Sequence, residues 1–177
     1  MNSDVKFGAR KEIRIKIYNR KIGGRMKKII LISIAKEKKI KDFRLVITPS
    51  GRNRIGGIQT KDYGIISYPD KKDFEKIGEL IYWAFNESDD KVIERSSNTK
   101  IEKQFYNCSS YRKVTNDYNM IFFELIEGIY SISLLKKDGD AFVAFKDENK
   151  EMVKYIYPEK PTALELGTKV MEMFEYK

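Results

Sequence analysis

At 177 residues, 41% hydrophobic and 12% aromatic, the chain is long and apolar enough to fold as one domain around a sizeable core. It contains no His, which excludes Ser-His-Asp and Cys-His catalysis and His-ligated metal sites. Its formal charge of +9 is uneven: residues 1–69 hold 18 Lys+Arg against 5 Asp+Glu (+13), and residues 70–177 hold 17 against 21 (−4).

Residues 1–25 carry 8 Lys+Arg and 2 Asp+Glu and read as a basic N-terminal arm or extra strand. Within them Ile13, Ile15 and Ile17 alternate with Arg14, Lys16 and Tyr18, the period-two pattern of a half-buried strand. Such a face suits nucleic-acid phosphates or an acidic protein, and equally suits a solvated edge guarded against aggregation. After the Gly23-Gly24 break the sequence predicts a core strand over 26–34. A hairpin follows, with strands over 42–48 and 54–58 around a turn at Pro49-Ser50-Gly51-Arg52-Asn53. A short strand at 64–67 then leads through Tyr68-Pro69 into a helix whose stripe is Phe74, Ile77, Ile81, Trp83, Ala84 and Phe85. Trp83 reads with the core.

From about residue 86 the chain turns polar, and Phe105, Tyr106, Cys108 and Tyr111 predict one anchored turn or short helix within this connection. Cys108, the single cysteine, reads as a small buried hydrophobe. Strands over 118–126, 129–135 and 141–146, with a turn at Asp138-Gly139-Asp140, precede a short strand at 153–156. The last element is a helix with the stripe Leu164, Leu166, Val170, Met173 and Phe174, where Pro161 suits the first helical position.

The two helical segments are related. Residues 68–85, YPDKKDFEKIGELIYWAF, align without a gap with residues 157–174, YPEKPTALELGTKVMEMF, matching Tyr68/Tyr157, Pro69/Pro158, Lys71/Lys160, Gly78/Gly167 and Phe85/Phe174. Gly78 and Gly167 each cost about 1 kcal/mol in a helix interior relative to Ala, an expense that close helix-to-sheet approach explains. The expected fold is therefore α+β: a mostly antiparallel sheet with two similar helices on one face, each ending a unit of strands then helix. Its expected domain spans 26–177, as unit one (26–88), a connecting segment (89–117) and unit two (118–177).

The strand, the Ser50-Gly51-Arg52 turn, the strand ending in Pro and the helix with a central Gly, repeated near the C-terminus, resemble the immunity proteins of bacterial contact-dependent growth inhibition systems. The resemblance covers about residues 26–177. It implies a cytoplasmic protein that binds the C-terminal toxin domain of a cognate effector encoded next to it, often a nuclease, and blocks it stoichiometrically. It implies no catalysis, cofactor, metal or membrane partner. The alternative is a nucleic-acid-binding accessory protein that uses the basic N-terminal region.

Interfaces favour Tyr, Trp and Arg for their contact area and polar handles. The candidate partner-binding residues are Arg52 and Arg54 in the first hairpin, Glu87, Asp89 and Asp90 past the first helix, and Tyr106, Tyr111 and Arg112 in the connection. Each has a plainer reading: turn-flanking charges, a solvated helix end, and aromatic anchors of a long segment.

Overall fold

The computed structural model describes residues 29–39, 43–94 and 100–176; the arm, with its expected strand at Ile13 to Ile17, lies outside them. Strand β1 (Ile29–Glu37) reads IILISIAKE, a nearly continuous apolar run. That pattern marks a strand covered on both faces. Ile30, Ile32 and Ile34 enter one hydrophobic cluster and Leu31 and Ala35 another. β1 pairs antiparallel on one side with β2 (Leu45–Thr48) and on the other with β6 (Tyr118–Ile126). β5 (Ile65–Ser67) flanks β2, and β7 (Ile129–Asp138) flanks β6. The far side of β7 takes both β8 (Ala141–Ala144) and β9 (Lys154–Ile156). All seven strands of this sheet pair antiparallel.

The expected first hairpin forms differently. Pro49 cannot donate to the ladder, and there the chain leaves β2 as β3 (Ser50–Arg52), which pairs with β4 (Ile58–Thr60) as a separate two-stranded ribbon. The turn is accordingly Asn53 to Gly57, not 49–53. Asn53 Oδ1 accepts from the Ile55 and Gly57 amides at 3.1 and 2.8 Å, and Gly56 takes φ +81°. In the second unit β7 and β8 make the hairpin expected there.

Helices α1 (Phe74–Glu87) and α4 (Ala163–Phe174) pack on one face of the sheet. Asp73 caps α1 by accepting from the Lys76 amide at 3.1 Å, and Thr162 with Glu165 forms a capping box on α4. Pro161 therefore stands just before the cap and not at the first helical position. Ile77, Ile81 and Ala84 from α1 and Leu166, Val170, Met173 and Phe174 from α4 are buried. Each large aliphatic group among them contributes roughly 1.5–3 kcal/mol. Trp83 departs from the expectation, being 37% exposed.

The two glycines serve the helix–helix crossing, not an approach to the sheet. A Cβ on Gly78 would overlap the carbonyl oxygen of Ala163, and one on Gly167 would overlap that of Phe74. The contact is reciprocal, and the same offset recurs through the fold. Adding 89 carries β1 (29–37) onto β6 (118–126), β5 (65–67) onto β9 (154–156) and the start of α1 (74) onto that of α4 (163). At the centre of the sheet Ser33 pairs with Phe122, its own equivalent at that offset.

The connection holds two short helices, α2 (Ile101–Tyr106) and α3 (Tyr111–Asp117), which cover the opposite face of the sheet. Buried Arg44 fastens them. Its guanidinium donates to the Phe105 carbonyl at 2.7 Å, to Glu37 at 3.2 Å and to the Tyr118 hydroxyl. Burial opposes the charge on Arg44, but Tyr118 and Glu37 outweigh it and the pKa moves up.

Gly78→Ala and Gly167→Ala are each expected to destabilise the protein by about 2 kcal/mol or more through overpacking, seen as a lower urea midpoint at unchanged slope. A gain of about 1 kcal/mol, the helix-propensity expectation, would refute the crossing.

Candidate partner-binding surface

Five of the eight candidate residues converge where α1 ends against the β3–β4 ribbon. The segment after α1 runs beside β3: the Arg52 amide donates to the Lys91 carbonyl at 2.9 Å and the Ile93 amide to the Arg52 carbonyl at 2.8 Å. Ser88, the C-cap of α1, places its Oγ 2.9 Å from the Ser50 amide. This backbone zipper sets the side chains. Arg52 donates through Nε and Nη2 to Asp90 Oδ1 at 3.0 and 2.8 Å. Arg54 is exposed in the ribbon turn beside Ile55, which is 87% exposed.

Lys61, which sequence reasoning passed over, organises the rest. Its buried ammonium donates to the Glu87 carbonyl at 2.6 Å, Asp89 Oδ2 at 3.0 Å and the Tyr63 hydroxyl at 3.2 Å. It thus neutralises a helix C-terminus and a carboxylate together. Tyr63 in turn donates to Glu87 Oε2 at 3.1 Å, and its ring meets Trp83 edge-on at 6.4 Å. The signal for Lys61 was a lone Lys between the ribbon and β5, which looks like any solvated charge until the fold places Asp89 beside it.

The ionisation of this cluster suits binding more than proton transfer. Burial opposes the charge on Lys61, but its bonds to Asp89 and Tyr63 prevail and the pKa rises. Burial likewise opposes the charge on Asp89, and the bonds from Lys61 and the Lys91 amide carry its pKa down. Both shifts lead away from neutrality, where an acid–base catalyst operates. The surface is left with fixed charges around exposed Ile55, Tyr63 and Trp83.

The remaining candidates lie elsewhere. Tyr106, 7% exposed, packs edge-on against Tyr118 with ring centroids 5.1 Å apart, and burial pushes its hydroxyl up to about 12. Tyr111 is half-buried at the start of α3 against Phe142, its hydroxyl raised by burial. Both rings anchor the connection. Arg112 has a side chain 73% exposed and stands 3.4 Å from Asp140, at the β7–β8 turn. Cys108 is buried, and burial raises its thiol pKa. Among the described residues no cluster of three or more Cys, Asp or Glu is arranged to hold a metal, and no helix is long and apolar enough to cross a membrane.

No family model matches the chain, and a search of curated proteins finds no match. Solved structures do match. One is a protein of unknown function from Neisseria meningitidis, with TM-score 0.59 and 14% identity over 87% of this chain and 98% of the other. Another is a chain of the CdiA-CT/CdiI toxin and immunity complex from Yersinia pseudotuberculosis. There the TM-score is 0.60 and the identity 12%, covering 84% of this chain and 97% of the other. The fold is shared with both.

Replacing Lys61 by Met leaves Asp89 and the α1 terminus unneutralised and is expected to cost about 2 kcal/mol, discounted for the partial exposure of Asp89. Because Asp89 is depressed, its contribution is lost as pH falls below about 4. Because Lys61 is raised, its contribution is lost as pH rises through its folded pKa, above about 10.5. The stability gap between wild type and variant should therefore be flat from about pH 5 to 9 and narrow outside that window in urea titrations. A gap that changes steadily between pH 6 and 8 would point to another pair.

Proposed function

We propose that this chain is an immunity protein: it binds a contact-delivered toxin domain, a nuclease encoded next to it, and neutralises it in the cytoplasm by stoichiometric association. The observation that carries this reading is the shared fold with a chain of the CdiA-CT/CdiI toxin and immunity complex. No catalytic step is needed for such a role. The domain of residues 26–177 does the binding, and residues 1–25 are an appended arm.

In this reading the contact is the surface where α1 meets the ribbon. Arg52, Arg54, Glu87, Asp89 and Asp90 supply its polar pattern, with Tyr63, Trp83 and Ile55 as the apolar anchors. Exposed aromatic side chains ringed by held charges are the composition that dominates binding energy in protein interfaces. The paired charges are held in place before the partner arrives, which lowers the entropy lost on association. Arg112, with its half-buried neighbour Tyr111, supplies a second, smaller contact from α3. The nucleic-acid alternative rests on the arm: residues 1–25 hold 8 Lys+Arg against 2 Asp+Glu, leaving 27 against 24 in the rest.

Co-expression with the C-terminal domain of the neighbouring gene product should restore growth and yield a 1:1 complex; unrelieved toxicity removes the proposal. Trp83→Ala and Arg52→Ala should each weaken that complex about tenfold or more, corresponding to about 1.4 kcal/mol or more, measured where urea titrations show both variants fully folded. Unchanged affinity in both variants would move the contact elsewhere.

A further inference from the structure

The segment before β6 has a counterpart in the sequence before β1. α2 and α3 fold back from the start of β6 over the sheet face opposite α1 and α4, and α2 buries Phe105 and Tyr106 there with Ile101 packed beside them. With the residue that ends it, α2 reads IEKQFYN over 101–107, and residues 13–19 read IRIKIYN. Ile13 matches Ile101, and Ile17 stands for Phe105. Tyr18 and Asn19 match Tyr106 and Asn107, the left-handed residue (φ 50°) that stops α2. Asn107 stands 11 residues before Tyr118, where β6 begins, and Asn19 stands 10 before Ile29, where β1 begins.

The offset of 89 also locates the counterpart of the surface that α2 covers. α2 is held where Tyr118 pairs with Glu37: the Tyr118 hydroxyl donates to the Tyr106 carbonyl at 3.0 Å, and the two rings meet edge-on. The equivalents of Tyr118 and Glu37 are Ile29 and Ile126, which pair with each other in the same way. Both are half-buried. Ile129, paired with Ile126 from β7, is 54% exposed, and Ile156 of β9, on the same face, is 60% exposed. The polar side chains beside them are matched to one another: Glu124 Oε2 accepts from Ser131 at 3.2 Å, Ser133 at 3.3 Å and Lys154 at 2.9 Å. The isoleucines are what this floor offers to a covering segment.

We propose that residues 13–19 dock on this floor as α2 docks on its own, with Ile13, Ile17 and Tyr18 turned toward Ile29, Ile126 and Ile129. These three residues have the spacing by which Ile101, Phe105 and Tyr106 reach the sheet from α2. Ile15 takes the place of exposed Lys103 and points away, unlike the alternating face of the expected strand. The segment enters the sheet at Ile29, the margin of the floor, and Ile129 lies two strands over, about 10 Å. The ten residues from Asn19 to Ile29 span up to about 33 Å, and Gly23-Gly24 eases the reversal. Burial of the apolar side chains drives the contact, while Arg14, Lys16 and Arg20 stay in solvent. The inference concerns the chain's own arm and stands or falls independently of toxin binding.

The test is limited trypsin cleavage of the full chain after Arg14, Lys16 and Arg20, located by mass, together with NMR of backbone amides. Ile17→Asp and, from the floor, Ile129→Asp should each speed that cleavage at least about tenfold, because losing a buried apolar contact raises the open population that the protease attacks. Ile15→Asp should leave the rate unchanged. Ile17→Asp should also shift the amides of Ile29, Ile126 and Ile129 while those of α1 keep their places, which shows that the domain itself is intact. Protection in the wild type should not depend on protein concentration. Three results overturn the proposal: equal cleavage of wild type and Ile17→Asp with no shift on the floor, Ile15→Asp acting as strongly as Ile17→Asp, or protection that falls on dilution and so makes a second copy the occupant.

Discussion

The crossing of α1 over α4 at Gly78 and Gly167 fixes the rest of the molecule. With no Cβ at either position, each helix lays its backbone against the first residue of the other. The two stripes Ile77–Ile81–Ala84 and Leu166–Val170–Phe174 then reach one sheet face together. Because the crossing lies near both N-termini, the helices diverge from it toward opposite ends of the sheet. α1 ends beside Ser50, near the start of β1, and α4 ends beside Lys36, near its finish. The candidate partner-binding surface is thereby placed at the C-terminal end of α1.

The two ends differ because of one residue. In the second unit the chain reverses at Asp138-Gly139-Asp140, and β8 returns along β7. At the position 89 residues earlier stands Pro49, which lacks the amide needed to continue the ladder. The chain bends away there as the ribbon, and residues 88–93 zip along it. One end of the sheet is therefore built up with charged and aromatic side chains, and the equivalent place beside β6 is left as a groove.

Much of this was legible in the sequence, because the strands and both long helices carry strong periodic signals and paired turn residues. The central strand was legible as apolar on both faces, and the repeat placed both helices together. What escaped depended on contacts between distant residues. The helical glycines announced a close approach without saying to what, and only the symmetric pairing with Ala163 and Phe74 answers that. The hairpin around Pro49 was misplaced by several residues, since Asn53 and Gly56, not Pro49-Ser50-Gly51, carry the turn chemistry. Of the candidate site, Arg52, Arg54, Glu87, Asp89 and Asp90 came together, whereas Tyr106 went to the core. Lys61 was invisible because its three partners come from 2, 26 and 28 residues away.

The middle of the sheet joins residues far apart in the chain: Ile29 meets Ile126, and Glu37 meets Tyr118. Neither unit closes its own sheet, so β1 stays a bare apolar edge until β6 has been synthesised. Contacts of this sequence separation slow folding and leave that edge open to other strands meanwhile. The same pairing can also be satisfied between two molecules. With the polar connection between α1 and β6 as the hinge, unit one of one chain can dock on unit two of another, restoring every β1–β6 and α1–α4 contact in a domain-swapped dimer. Of the bonds Arg44 makes, the one to the Phe105 carbonyl and the one to the Tyr118 hydroxyl leave unit one, and these are what hold the connection in its folded-back path.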